Sequence, residues 1–396
     1  MSFRYTRRIQ NTPRSFIREI LKVTQDPSII SFAGGLPNPG LFPVAELQEA
    51  ACQVLENHGP RALQYANTEG HLELRAWIAR RYARRGLTVN PDQILITTGS
   101  QQALDLVAKI FIEPGDTVVL ERPSYLGTIQ AFGMFEPRFV TVNLDDDGPD
   151  LAGLEEILAM EKPKLFYAVP NFQNPSGLTY SARKRKSLAD LLLKFPETLF
   201  VEDDPYGELR FAGEHMEPVF SLTGGHGILL GSFSKITVPG FRLGWMVAPP
   251  DIIRMAVTAK QAADLHSSTF NQFVIETYLR NNDLDGHIAR ITERYGSQAR
   301  AMVTALERKA PEGVRFTRPE GGMFLWVTLP PKTGSCMDLF DLAIARKVAF
   351  VPGMPFYTDG SGTSTLRLNF SNAPEQIIDQ GIARLGECMA ELAARV

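Results

Sequence analysis

The residues best suited to covalent chemistry lie in segment 231–245, directly after a short apolar run. Lys235 follows Ser232 and Ser234, and Arg242 comes seven residues later, after a Pro-Gly pair. A lysine amine attacks a carbonyl only when neutral, and burial beside a second cation such as Arg242 lowers its pKa. Hydroxyls and a guanidinium are groups that hold a phosphate dianion. A nucleophilic lysine beside a phosphate site indicates pyridoxal 5′-phosphate (PLP), held as a Schiff base.

A short Ser-x-Ser-Lys motif is more often a surface loop with a solvated lysine, so other segments must support this interpretation. Gly99, Ser100 and Gln101 lead from a predicted strand into a predicted helix, where free backbone N–H groups bind phosphate. An ordinary helix cap is the alternative. Tyr125, after another strand, is placed to stack on a pyridine ring, with burial in the core as the alternative.

Acidic and amide side chains follow two further strands. A carboxylate at Asp203 would pair with a protonated pyridine nitrogen, which makes PLP an electron sink. Tyr206 and Asn174 are placed to contact the ring oxygen. Because Asp204 follows directly, either acid could face the ring. A metal pair is the alternative for tandem aspartates, but no histidine lies close in the sequence, so we expect no metal.

Arg367 lies inside an apolar strand, between Leu366 and Leu368. A guanidinium in such a strand is costly to bury unless it is paired. A substrate carboxylate is the partner that we expect, and a structural ion pair is the alternative.

The elements that would position these residues repeat one pattern from about residue 93 to 250. A short apolar strand, a loop and an amphipathic helix alternate, which predicts a parallel sheet covered on both faces. In such a sheet, ligands bind at the carboxyl ends of the strands. The predicted strands are 93–97, 117–120, 138–142, 165–169, 199–202, 228–230 and 244–248. Crossover helices are predicted at 100–111, 125–134, 151–160 and 181–193.

A change of pattern after residue 250 predicts a second domain. Helical periodicity over 250–308 predicts a long helix that joins the two domains. Short strands follow at 324–329, 349–352 and 365–370, with helices at 337–345 and 375–393. We expect an N-terminal segment, 1–40, that packs with the small domain. The large PLP-binding domain would cover 41–285 and the small C-terminal domain 286–396.

Composition excludes several classes of function. The 396 residues are 44% hydrophobic and 21% charged, with a net charge of −3. No net basic field is available for nucleic acid or an anionic membrane. Three widely spaced cysteines indicate reduced thiols. With neither a signal-peptide pattern nor a run of about 18 apolar residues, we expect a cytoplasmic protein.

Together these motifs resemble fold-type I PLP enzymes of the class I/II aminotransferase family. The resemblance rests on Asn174-Pro175-x-Gly177, Asp203-x-Pro205-Tyr206, Ser232-x-Ser234-Lys235 with Arg242, and Arg367. Further segments resemble the 2-aminoadipate and kynurenine aminotransferase branch, namely Ser15-x-x-Arg18, 31–37 and 99–102. The implied fold is α/β, PLP-transferase type I, with a mostly parallel seven-stranded sheet flanked by helices and a smaller α+β domain.

The resemblance implies a role for each site residue. Lys235 would be the Schiff-base lysine, Asp203 the ring-nitrogen partner, and Tyr206 with Asn174 the ring-oxygen contacts. Tyr125 would stack on the ring. The phosphate would be held by Gly99, Ser100, Gln101, Ser232, Ser234, Arg242 and Tyr65 of the neighbouring subunit. The substrate α-carboxylate would bind Arg367, Asn174 and Gly35, and its side chain would meet Ser15 and Arg18.

The expected activity is transamination between an L-amino acid and a 2-oxo acid, in a homodimer with active sites at the subunit interface. Another PLP reaction on amino acids, by a β-lyase or a decarboxylase, is the first alternative. An effector-sensing domain is the second, although it would need a DNA-binding region ahead of it. The donor stays open, because Arg18 favours an acidic side chain while an apolar pocket could form from Ile17, Leu36, Phe42 and Phe356.

Overall fold

The computed structural model describes residues 3–12, 20, 26–331 and 333–395. Its strands are β1 Ile30–Ser31, β2 Ile94–Thr97, β3 Thr117–Arg122, β4 Arg138–Asp145, β5 Gly148–Pro149, β6 Leu165–Ala168, β7 Leu199–Asp203, β8 Ile228–Ser232, β9 Gly244–Val247, β10 Arg315–Phe316, β11 Phe324–Thr328, β12 Val348–Ala349, β13 Val351–Pro352 and β14 Thr365–Asn369. Its α-helices are α1 Arg7–Asn11, α2 Val44–Ala62, α3 Leu72–Ala83, α4 Ser100–Phe111, α5 Leu126–Gly133, α6 Leu151–Glu161, α7 Ala182–Leu192, α8 Val219–Leu222, α9 Pro250–Gln261, α10 Thr269–Asn281, α11 Leu284–Lys309, α12 Cys336–Ala345 and α13 Glu375–Ala394.

The larger sheet has eight strands in the order β2-β9-β8-β7-β6-β3-β4-β5. The pairs β8/β7, β7/β6, β6/β3 and β3/β4 are parallel, whereas β9 runs antiparallel to both of its neighbours. Strands β2, β6, β8 and β9 are buried along their whole length, as expected for a sheet with helices on both faces. All seven predicted strands are present, and β5 is a short addition.

A smaller antiparallel sheet, β10-β11-β14-β13, lies in the C-terminal part of the chain. The N-terminal part lies beside it, because Asn369 of β14 donates its backbone N–H to Phe32 O at 2.8 Å. The neighbouring β1 pairs in parallel with β12 as a separate two-stranded sheet. The three sheets and their helices agree with the predicted α/β class. Among the described helices, none is both long and apolar enough to span a bilayer.

The helical stretch predicted over 250–308 is wrong as a single element, because it consists of α9, α10 and α11. Leu265 adopts a left-handed φ of 65° between α9 and α10, which interrupts helical geometry. Asp283 caps α11 by accepting the Gly286 N–H at 3.0 Å. Apolar periodicity continues through both breaks, which explains why the sequence pattern did not reveal them.

Gly231 in β8 is required by the side chain opposite it. It pairs with Trp245 of β9, whose indole ring occupies the space that a Cβ at residue 231 would fill. The ring is fixed, since Trp245 Nε1 donates to Tyr82 Oη at 2.9 Å and Phe233 packs against it. The strand that leads to Lys235 is therefore held by close packing.

We expect Gly231→Ala to destabilise the protein by about 1–3 kcal/mol, because overpacking forces a fixed indole to move. Gly133→Ala is the matched control, since a Cβ at this last residue of α5 meets nothing within 4 Å. That control should change stability by less than about 1 kcal/mol. Urea unfolding of both variants measures the difference, and equal stabilities would contradict the close fit.

Candidate active site

A cavity of about 510 Å³ opens at the carboxyl ends of the parallel strands. It unites residues from distant segments, as expected for a sheet of this type. The wall includes these residues proposed from the sequence: Gly35, Ser100, Gln101, Tyr125, Asn174, Asp203, Tyr206, Ser232, Ser234, Lys235, Arg242 and Arg367. It also includes Leu36, Pro37, Leu126, Gly127, Gln130, Tyr167, Val169, Pro205, Pro239 and Phe324.

Lys235 ends a short 3-10 turn that follows β8, and its amine points into the cavity. Nζ donates to Gly35 O at 2.9 Å. Burial lowers the pKa of Lys235 to about 8, and the charges of Arg367 and Arg242 act in the same direction. The sequence had suggested only Arg242 for this effect. A large neutral fraction near pH 8 makes the amine a nucleophile and a general base.

Asp203 ends β7 and is 2% exposed. Its Oδ2 accepts from Tyr167 Oη at 2.8 Å, whereas its Oδ1 is buried without a hydrogen bond within the described chain. Burial raises the pKa of Asp203 to about 7, the Tyr167 bond lowers it and nearby Asp204 raises it. Asp204 is absent from the cavity wall, and its Oδ1 accepts from Asn171 Nδ2 at 2.8 Å. Of the two acids, only Asp203 therefore lines the cavity.

Hydroxyl and cationic groups gather at one end of the cavity. Ser232 Oγ donates to Ser234 Oγ at 2.9 Å. Arg242 adopts a left-handed φ of 52°, and its guanidinium packs so closely on Gly99 that a Cβ there would lie 2.6 Å from Nη2. Gly99, itself at φ 75°, starts α4, and Ser100 is the first helical residue. A helix N-terminus, two serines and an arginine form an anion site.

Arg367, on β14, lies at another part of the wall and is 1% exposed. Its Nη1 donates to Asn174 Oδ1 and its Nη2 to Ala33 O, both at 2.8 Å. The guanidinium lies over the ring of Phe324, 4.3 Å from its centroid. Its Nε has no hydrogen bond in the described chain. These contacts fix the guanidinium and leave donors free for a carboxylate.

Tyr206 lies on the same cavity wall as Arg367 and Lys235. Its ring packs edge-on against that of Phe324, with the centroids 5.8 Å apart, and Lys235 Nζ lies 6.0 Å from the centroid of the Tyr206 ring. Burial raises the pKa of Tyr206, so the phenol keeps its proton and can donate it to a ligand oxygen.

Tyr125 is held by the start of α5. A Cβ at Gly127 would lie 2.5 Å from the Tyr125 ring, and Gln101 Nε2 donates to Gly127 O at 2.9 Å. Glycine at residue 127 thus allows the phenol and the amide to meet on this wall.

Two supporting residues were missed by sequence reasoning. Tyr167 lies within apolar β6, where a buried phenol needs a partner, and that need was the available signal. Glu121 is 1% exposed and accepts from Val169 N, Gln173 Nε2 and Tyr180 Oη at 3.2, 2.8 and 2.5 Å. It therefore holds the loop that carries Asn174. The predicted strand ended at residue 120, so Glu121 was placed in the following loop beside Arg122 and gave no distinctive motif.

Some predicted residues lie elsewhere. Tyr65 is 79% exposed, lies outside the cavity of its own chain, and packs edge-on against His266. Leu36 lines the cavity, whereas Phe42 and Phe356 do not. Three predicted residues, Ser15, Ile17 and Arg18, lie outside the described residues. Within the described residues, no group of three or more His, Cys, Asp or Glu side chains could hold a metal ion.

Residues 33–385 match the sequence model of the aminotransferase class I and II family. The chain belongs to this family. It is a PLP-dependent transaminase of fold type I, whose substrates are amino acids and 2-oxo acids, as the sequence predicted.

Several known aminotransferases are similar to this chain over nearly its whole length. The 2-aminoadipate transaminase of Thermus thermophilus is 45% identical over 386 residues, which cover 96% of this chain and 95% of that protein. Aromatic-amino-acid aminotransferase 1 of Thermococcus litoralis is 44% identical over 387 residues, covering 95% and 92%. A solved structure of α-aminoadipate aminotransferase from Thermus thermophilus, complexed with N-(5′-phosphopyridoxyl)-L-leucine, has a TM-score of 0.92, 43% identity and coverage of 99% and 98%.

The cavity of this aminotransferase fits PLP. The unpaired Oδ1 of Asp203 is a partner for a protonated ring nitrogen, and Lys235 is an amine for the aldehyde. The anion site at the start of α4 suits the phosphate. Each chemical group of the cofactor therefore has a complementary group on one wall.

Asp203→Asn should stabilise the apoenzyme at pH 8 by about 1–4 kcal/mol, because it removes a carboxylate that is ionised without a charged partner. The folded-state pKa of Asp203, about 7, exceeds its ordinary value of 3.8. The folded protein thus binds the extra proton between these values, and its stability falls as the pH rises through that window. The gain from Asp203→Asn should accordingly shrink towards pH 4.

Urea unfolding of the apoenzymes at pH 5 and pH 8 measures this gain. Asp204→Asn is the control, since Asp204 lies off the cavity and already has the Asn171 amide as a donor. That change should give a smaller gain than Asp203→Asn, because it removes only the repulsion that Asp204 exerts on Asp203. An Asp203→Asn apoenzyme no more stable than wild type at pH 8 would show that the carboxylate is not desolvated as described.

Proposed function

We propose that this aminotransferase moves the amino group of a 2-aminoadipate-type, aromatic or branched-chain L-amino acid to 2-oxoglutarate, in two half-reactions at one site. The observation that carries the proposal is that Lys235, the unpaired Asp203 oxygen and Arg367 line one cavity. The names of the T. thermophilus and T. litoralis relatives support the first two donor classes.

Each residue of the wall has a proposed role. Lys235, Asp203 and Tyr206 are the catalytic residues, and Tyr125 stacks on the ring. Phosphate binding is assigned to Gly99, Ser100, Gln101, Ser232, Ser234 and Arg242, with Tyr65 from the partner subunit. Asn174 contacts the ring oxygen. The substrate α-carboxylate binds Arg367, Asn174 and Gly35, and Ser15 with Arg18 contact the substrate side chain.

The chemistry divides between the cofactor and the chain. Bound PLP supplies an electron-withdrawing ring that stabilises the negative charge left on the substrate Cα after deprotonation. Lys235 removes that proton as a general base and returns a proton as a general acid, which its pKa of about 8 suits. Asp203 holds a proton on the ring nitrogen, and Tyr206 donates to the ring oxygen. Arg367 orients the substrate so that its Cα lies beside the Lys235 amine.

A homodimer with active sites at the subunit interface completes the proposal. Supporting it, Tyr65 is itself exposed, and two further exposed apolar residues lie near it or its ring partner His266 in the sequence: Leu63, 71% exposed, and Leu265, 52% exposed. Exposed apolar side chains that lie together mark surfaces that bind another protein chain. In the dimer, Tyr65 would reach the phosphate end of the neighbouring cavity.

The domain limits and the compartment are proposed as well. We assign 41–285 to the large PLP-binding domain and 286–396 to the small domain, with 1–40 packing on the small domain. The pairing of β1 with β12 supports the last assignment. The cytoplasm is the proposed location, and three unpaired cysteines, Cys52, Cys336 and Cys388, support a reducing compartment.

Lys235→Ala should lower the transamination rate by at least about 10²-fold, because it removes the group that moves the proton. Lys194→Ala is the control, since that lysine is a surface residue with a side chain 63% exposed. The assay follows glutamate formation from 2-oxoglutarate with 2-aminoadipate, phenylalanine or leucine as donor. A Lys235→Ala protein with wild-type activity would refute the assignment. Ammonia or CO₂ release without an oxo-acid acceptor would favour the β-lyase or decarboxylase alternative.

Subunit exchange tests the role of Tyr65. At limiting PLP, Tyr65→Ala should have low activity and Lys235→Ala none. After mixing, about half of the dimers contain one chain of each kind, and each such dimer has one site with both residues intact. The mixture should therefore regain about a quarter of the wild-type activity. Exchanged dimers that recover no activity would show that Tyr65 does not serve the partner's site.

A further inference from the structure

Lys260, in α9, is 0% exposed although it carries an ammonium group. It is absent from the cavity wall, so it does not contact the cofactor or the substrate. Its amine donates to Gln102 Oε1 at 2.6 Å, to Asp264 Oδ1 at 2.9 Å and to Ser267 Oγ at 3.1 Å. All three of its N–H donors are therefore satisfied.

Every branch of this network leads to the turn 97–102, which we call the phosphate turn. Gln102 Oε1 accepts from Thr98 N at 2.8 Å as well as from Lys260. Asp264 Oδ2 accepts from Gln102 Nε2 at 2.7 Å and from Thr98 Oγ1 at 3.1 Å. Ser267 Oγ lies 3.0 Å from Thr98 Oγ1. Thr98 and Gln102, which bond to this network, therefore flank Ser100 and Gln101, which line the cavity.

A buried ammonium is costly, and the chain compensates it with Asp264. Burial lowers the pKa of Lys260, whereas the hydrogen bond and charge of Asp264 raise it. If the pair served only to join α9 to α4, an apolar side chain would do so at lower cost. The Lys260 ammonium also fixes the orientation of the Gln102 amide, and the oxygen of that amide in turn fixes the Thr98 N–H.

We propose that Lys260 is a positioning residue for cofactor phosphate, acting through Gln102, Thr98 and Asp264 to fix the phosphate turn. The inference rests on the proposed phosphate role of Ser100 and Gln101. The new element is that the affinity of Ser100 and Gln101 for the phosphate dianion depends on the Lys260 ammonium, which lies behind the turn and outside the cavity wall.

The test compares two ligands of the apoenzyme, PLP and pyridoxal, which share the ring and the aldehyde but differ in the phosphate. Lys260→Met should weaken PLP binding by about tenfold or more and leave pyridoxal binding within about twofold. Lys109→Met is the matched control. It makes the same change on the outer face of α4, where Lys109 pairs with Asp105, and should leave both affinities unchanged.

Thr98→Val gives a second, gentler variant, because it removes the hydroxyl bonds to Asp264 and Ser267 without leaving an unpaired charge. It should lower PLP affinity in the same selective way, by about two- to fivefold. Hydrogen exchange of the apoenzyme should show faster exchange at the Thr98 amide in Lys260→Met than in Lys109→Met. Equal losses for PLP and pyridoxal, or no loss of PLP affinity in either variant, would overturn the inference.

Ser100→Ala separates this inference from the proposed function. An unchanged ratio of PLP to pyridoxal affinity in Ser100→Ala would refute the phosphate role of Ser100 itself. A ratio that falls in Ser100→Ala but stays at the wild-type value in Lys260→Met and Thr98→Val would overturn the inference about Lys260 alone.

Discussion

Lys235, Asp203 and Arg367 are ionisable groups held out of water at the wall of one cavity, and burial is the largest cause of the pKa shift of each. The chain compensates them only in part. Asp203 has the Tyr167 hydroxyl, Lys235 has a backbone carbonyl, and Arg367 has an amide oxygen and a second carbonyl. Some hydrogen-bonding capacity remains on residues of the cavity wall, because Asp203 Oδ1 and Arg367 Nε have no partner in the described chain. The burial of these groups thus destabilises the apoenzyme, and it preorganises them for ligands of opposite charge.

This arrangement is stable because a second layer of buried ionisable groups is better satisfied than the first. Glu121 accepts hydrogen bonds from a backbone N–H, an amide and a phenol, and so fixes the loop of Asn174. Lys260 uses all three donors behind the phosphate turn. Neither residue lines the cavity. The strands and helices bring the wall together, and these two residues set the orientation of its loops.

The fold was largely predictable because parallel strands buried on both faces have a strong apolar signal, and all seven appeared within a few residues of their predicted limits. The two-residue strands β5 and β10 carry too little pattern to be found. In the site, residues in polar strand-end loops were identified, since a lysine or aspartate is conspicuous there. Arg367 was identified too, because an arginine between two leucines is conspicuous. Tyr167, Glu121 and Lys260 were not assigned roles, because their neighbours in the sequence form no conspicuous pattern and their partners are distant in the sequence.

The contact between Arg367 and Ala33 joins residues 334 positions apart. Synthesis proceeds from the N-terminus, so the ribosome has made both the lysine and the phosphate-binding segments, between residues 99 and 242, well before it reaches Arg367. The end of the cavity at Arg367, where the substrate carboxylate is proposed to bind, is completed only when the last strand of the small sheet, β14, joins the N-terminal segment. The order of synthesis therefore matches the proposed order of binding, since the segments proposed to hold the cofactor are made first and the strand proposed to hold the substrate is made last.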